Sequence, residues 1–169
     1  MKAIVYTSNA GHTRQYAAML GIETGLPVHE LDAAASALPK GSGIIYLGWL
    51  MAGNIKGSKK AAKHFDIKAV CGVGMAKTGT QLTDMRKTNK LPEALPVFSL
   101  QGGFELEKLS GVYKLMMSTM KATAGKGLAD KTERTPEEDE MLELLTNGGS
   151  KVSRDNLKEV LEWYSKQKG

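Results

Sequence analysis

Short apolar runs alternate with helical polar stretches along most of this chain. Ala3-Ile4-Val5-Tyr6 is compact, partly β-branched and followed by a turn signal, the pattern of a strand covered on both faces. Over residues 13–24, Tyr16, Ala17, Leu20 and Gly21 recur at helical spacing, with Thr13 or a neighbour available as the cap. Pro27 and then Val28-His29-Glu30-Leu31 predict a short edge strand, because a proline precedes it and polar residues alternate within it. A second buried strand spans 43–49 and runs into the loop Trp49-Leu50-Met51-Ala52-Gly53-Asn54. A helix passes through 59–63. Residues 67–75, containing Val70-Cys71-Gly72-Val73, form another strand that ends at Gly74-Met75-Ala76-Lys77. Residues 82–86 read as a helix, and Pro96-Val97-Phe98-Ser99-Leu100 as the last strand, closed by Gln101-Gly102-Gly103. Strands alternating with helices predict an α/β fold with a parallel sheet and crossovers on both faces.

Beyond the sheet the pattern becomes helical. Residues 106–122 form a helix carrying Leu109, Tyr113, Met116, Met117 and Met120, followed by a polar loop over 125–135. Thr135 as N-cap, Pro136 at the first helical position and Glu137 and Glu138 in the first turn mark a new start, and Asn147-Gly148-Gly149 marks its end. Ser153 then caps a helix over 155–166 with Leu157, Val160, Leu161 and Tyr164 on one face. The Met-rich helix is expected to pack on the sheet like any amphipathic helix. A sharper alternative is that its apolar face, flanked by Lys108, Lys114 and Lys121, touches a quinone, a membrane surface or a redox partner.

A chain of 169 residues accommodates one α/β domain, here with a helical extension over about 104–169. With 41% hydrophobic and 24% charged residues the composition is that of an ordinary globular protein, and the longest apolar run, near 44–52, falls short of a bilayer-crossing length. The opening residues read as a strand rather than a signal peptide, and a lone cysteine, Cys71, fits a reducing compartment; the expected location is the cytoplasm, or its membrane periphery through 106–121. The net charge of +5 is spread over many lysines with no aromatic-interleaved basic motif, so a nucleic-acid partner is not expected.

A doubly wound sheet binds ligands at the carboxyl ends of its strands. The first strand-to-helix turn there, Ser8-Asn9-Ala10-Gly11-His12-Thr13, is small, hydroxyl-bearing and contains a glycine. Such a turn aims backbone N–H groups and hydroxyls at a phosphate while the helix N-terminus adds partial positive charge. Neither the three-glycine dinucleotide pattern nor the Gly-Lys-Ser/Thr pattern is present, and Gly125-Lys126-Gly127 has no strand before it. Trp49, Leu50 and Met51, at a carboxyl-end loop, suit stacking on a planar ligand. His12, His29 and His64 are expected to be solvated, Cys71 to be a small core residue, and no spacing points to a metal site or to a hydrolase nucleophile elbow.

These residues resemble the flavodoxin phosphate loop, in which Ser/Thr-x-Thr-Gly-x-Thr wraps the phosphate of FMN. The resemblance covers most of the chain and implies a five-stranded parallel sheet in the order 2-1-3-4-5. It also implies FMN held by Ser8, Asn9, Ala10, Gly11, His12 and Thr13, by Trp49, Leu50, Met51, Ala52, Gly53 and Asn54, and by Gly74, Met75, Ala76 and Lys77, with amides near Gly53, Asn54 and Met75 bonding the flavin. Ala10 departs from the pattern by replacing the middle Thr. The segment 102–121 is most similar to the branch that contains the menaquinone-dependent protoporphyrinogen oxidases, a likeness that does not carry the porphyrin substrate over. Flavodoxins that act as carriers are typically acidic, so this basic chain leans towards a dedicated reductase or oxidase. The expected function is FMN-dependent electron transfer or oxidoreduction of a quinone-like or other small substrate; the alternative is a flavodoxin-like interaction module that does not use FMN.

Overall fold

The apolar runs become five parallel strands, β1 (Ala3–Thr7), β2 (Val28–Glu30), β3 (Gly43–Met51), β4 (Asp66–Gly74) and β5 (Val97–Gln101), in the computed structural model, which describes residues 1–167. Their order is β2-β1-β3-β4-β5, the flavodoxin-like doubly wound arrangement, with Val5 opposite Tyr46 and Leu47 opposite Cys71 fixing the central register. A two-residue strand, Asn54–Ile55, folds back antiparallel on the end of β3.

Alternate residues of each central strand serve opposite faces, so both faces need cover. Ile4, Ile45, Leu47 and Cys71 pack against Tyr16, Ala17 and Leu20 of α1 (His12–Thr24) and Val160 and Tyr164 of α7 (Lys158–Lys166). On the other face Val5, Ile44, Tyr46 and Val70 meet α2 (Leu31–Ala37), α3 (Ser58–His64) and α4 (Leu82–Asn89) through Leu31, Ala34, Ala61 and Met85.

Four local expectations need correction. Leu31 is not in the edge strand but opens α2, because Leu31-Asp32-Ala33-Ala34-Ala35 is a strong helix former whose Leu31 and Ala34 are buried. Neither Thr13 nor a neighbouring side chain caps α1: Gly11 stands at the N-cap in the left-handed region, φ 98°, with no side-chain cap. The segment after the sheet begins as a short 3-10 turn, Leu106–Lys108, and turns into α5 (Gly111–Ala129) only past Ser110. That helix runs on through 125–129, where a loop was expected, because Leu128 packs on the cluster around Phe104. In α6 (Pro136–Asn147) Thr135 does cap the start, with a reciprocal bond from Glu138. Ser153 caps as expected, though the first turn, Arg154–Leu157, is 3-10 before α7 begins. The last two residues of the expected extension lie outside the described residues.

Three buried groups, Tyr16, Tyr46 and Cys71, hold protons more tightly than usual, the last two most strongly. Burial pushes the Tyr46 phenol, bonded to Thr7 Oγ1 and the Lys56 carbonyl, up to about 12, and pushes the Cys71 thiol up to about 12. Since both folded-state values are raised, their contribution to stability is complete below the ordinary values of 9.0 and 10.0. It is lost as pH rises towards about 12. Urea midpoints measured across that alkaline range should fall steadily in the wild type and less steeply in Cys71→Ala.

Candidate functional site

A cavity of about 640 Å³ opens at the carboxyl ends of β1, β3 and β4. Three turns expected from the sequence meet there. Asn9, Ala10, His12 and Thr13 line it from the first, Trp49 to Gly53 from the second, and Gly74, Met75 and Ala76 from the third. Four expected residues do not line it. Ser8 Oγ accepts from the Arg14 N–H at 3.4 Å, Gly11 serves as the α1 cap, Asn54 pairs with Met51 in the small hairpin, and Lys77 faces Glu137 at 3.9 Å.

The first turn presents free donors. Among the described residues the backbone N–H groups of Asn9, Ala10, Gly11, His12 and Thr13 find no acceptor, since the earliest bonds of α1 run from Arg14 to Ser8 Oγ and from Gln15 to the Gly11 carbonyl. Thr13 is 1% exposed, yet it borders the cavity, and its hydroxyl has no partner among the described residues. The second turn is held from below. Asn89 of α4 accepts from Ile55 N–H at 2.9 Å and donates to the Gly53 carbonyl at 2.8 Å, fixing a bend in which Ala52 and Gly53 both have positive φ, 48° and 75°. Gln101 steadies the third turn by donating to the Met75 carbonyl at 3.3 Å.

The opposite wall is the Met-rich helix. Leu109, Tyr113, Met116, Met117 and Met120, at i, i+4, i+7, i+8 and i+11, face the cavity rather than packing on the sheet, which corrects the amphipathic-packing expectation. Tyr113 meets the edge of Trp49, ring centres 5.1 Å apart and planes at 89°, and Lys56 Nζ lies 5.7 Å from the Trp49 ring centre. Met51, Met75 and Met141 complete a set of six of the chain's nine methionines on this one cavity, giving it an adaptable apolar lining. A Met run at helical spacing was the available signal; that it forms a cavity wall depends on the path of the chain after β5.

His12 is also not solvated as expected. It is 7% exposed, and its Nε2 lies 2.7 Å from Glu105 Oε2. Glu105, which the sequence did not single out, also accepts from Lys108 at 2.8 Å, and these bonds hold its carboxyl below the ordinary carboxylate range, Lys108 first and His12 second. His64 is exposed, His29 half-buried and Cys71 fully buried. Among the described residues no cluster of His, Cys, Asp and Glu suits a metal ion, and no helix is long and apolar enough to cross a membrane.

Fold and site together define a flavodoxin-like α/β protein with a capped cavity at the carboxyl edge of its sheet. No protein-family model matches the chain, and no curated protein matches it.

The path of the chain under the cap depends on glycine. A β-carbon at residue 103 would stand 2.3 Å from the Gly149 carbonyl oxygen. Gly103→Ala should therefore lower stability by about 1–3 kcal/mol through overpacking, read as a drop in the urea midpoint.

Proposed function

We propose that this chain is an FMN-binding, flavodoxin-like redox protein. It transfers electrons, or oxidises or reduces a quinone-like or other small substrate, through flavin held with its phosphate in the turn from Ser8 to Thr13. One observation carries the reading: five unpaired backbone N–H groups and the Thr13 hydroxyl gather at the N-terminus of a 13-residue helix, at the polar end of an otherwise apolar cavity. That donor set suits a phosphate monoester, and the missing hydroxyl at Ala10 leaves the backbone amides to do most of the binding. The cavity volume of about 640 Å³ is ample for a small planar ligand.

Bound flavin would supply one- and two-electron chemistry; the protein's part is orientation and electrostatics. Leu50 and Met51 line the cavity from the strand ends and Met116 and Met117 from α5, while Trp49 and Tyr113, in edge contact with each other, close one side of it. The methionines give the ring an adaptable apolar surface, and the free amides of the first turn fix the anionic end. Mixing purified protein with FMN should quench flavin fluorescence with a dissociation constant of about 1 μM or below, and Thr13→Val should weaken it about tenfold. No quenching and no spectral shift with FMN in excess would instead support the interaction-module reading, which the loss of a hydroxyl at Ala10 favours.

Contact with a membrane surface is a second element of this reading. It rests on Val112 and Leu115, which are 63% and 69% exposed within one turn of α5 and do not line the cavity, on a helix with three lysines and no acid. Co-sedimentation with anionic vesicles, lost in Leu115→Glu, is the expected outcome; equal recovery with and without vesicles would remove this element.

A further inference from the structure

The flavin chemistry leaves the His12 and Glu105 side chains without a task, although they form a hydrogen-bonded pair in the cavity wall, His12 buried and Glu105 half-buried. The His12 side chain is 8% exposed and lies against the backbone of Gly102 and Gly103, where an added β-carbon would come within 3.2 Å of its Cβ and 3.0 Å of its Nε2 respectively. Among the described residues that line the cavity no Lys or Arg occurs, and His12 is the one of them able to carry positive charge.

We propose that His12, held by Glu105, is a positioning and specificity-determining residue. It gives the turn from Ser8 to Thr13 its positive charge for an anion and ties that turn to the base of the α5–α6 cap. The inference rests on the preceding reading only in taking the anion to be a flavin phosphate.

The charges around the ring support this role. On the segment it faces stand Glu105 and, beyond it, Lys108, so a protonated His12 with those two sums to +1. Arg14 is exposed on the same helix, and behind Gly102 the Lys151–Glu140 pair, 3.8 Å apart, is internally neutral. A carboxylate alone beside the turn would repel an anion; Lys108 offsets it, leaving His12 to set the sign. A dianion in the turn favours the doubly protonated ring, and that ring in turn strengthens its bond to Glu105. Glu105 immediately precedes the 3-10 turn that leads into α5, a helix with no buried residue, so the bond fastens the cap beside the filled turn.

The test compares FMN with riboflavin, which lacks the phosphate, in the full-length wild type, Glu105→Gln and His12→Gln. Hydrogen exchange of residues 111–129 is followed in parallel. His12→Gln should bind FMN about tenfold more weakly, with riboflavin changed by less than about twofold; Glu105→Gln, which leaves Lys108 unopposed, is read through the cap instead. FMN should slow exchange of 111–129 in the wild type and not in the variants. Equal loss for both flavins in His12→Gln marks a purely structural residue and overturns the proposal, as does unchanged FMN binding there. A wild type that binds neither flavin sinks the preceding functional reading, and inorganic phosphate then decides this one. Protection of 111–129 by phosphate in the wild type but not in Glu105→Gln supports the tie, and identical exchange overturns it.

Discussion

Where the chain leaves β5 there is no room for a side chain. A β-carbon on Gly102 would lie 2.9 Å from Val73 Cγ1, and one on Gly103 would meet the backbone of Gly149 and Ser150. With hydrogen in those places, Gly103–Phe104 pairs with Gly149–Ser150 and the Gly102 carbonyl accepts from Lys151 N–H at 2.7 Å. Phe104 is thereby delivered into a small cluster with Leu144 and Leu145, set apart from the two sheet faces. Since α5 has no buried residue, its position follows from this crossing and this cluster rather than from its own grip on the sheet. The cavity exists because the crossing holds the cap away from the strand ends.

The sheet was legible because its signal is local. Val70-Cys71-Gly72-Val73 or Ile44-Ile45-Tyr46-Leu47 has only one way to bury both faces, and the connecting helices then dictate parallel pairing. Thr135-Pro136-Glu137-Glu138 was equally local, a complete capping box within four residues. The three turns of the site were found because topology places strand ends together. What escaped was set at long range. His12 and Glu105 are 93 residues apart, and nothing near either residue announces the other. The short helix α2 escaped for a different reason: its alanines bury little, so hydrophobic periodicity hardly registers there, and helix propensity with one buried leucine decides the segment.

The two walls of the cavity are built from different materials, and that difference bears on function. The sheet-side wall is made of strand-end turns in which backbone and small residues alternate with Trp49, Leu50, Met51 and Met75, with the loops fixed by Asn89 and Gln101. Its donors cannot move far, so it can demand a particular arrangement of acceptors from whatever binds. The cap-side wall is methionine on a helix that buries nothing completely, a flexible and polarizable surface on the part of the fold with the fewest buried contacts. A wall of that kind accommodates shape instead of selecting it. The cavity is therefore divided, with polar groups concentrated in the turn from Asn9 to Thr13 and an apolar, adaptable surface on α5. Such a division suits a site that keeps one ligand in a fixed orientation while a second, less closely specified molecule approaches along the soft wall.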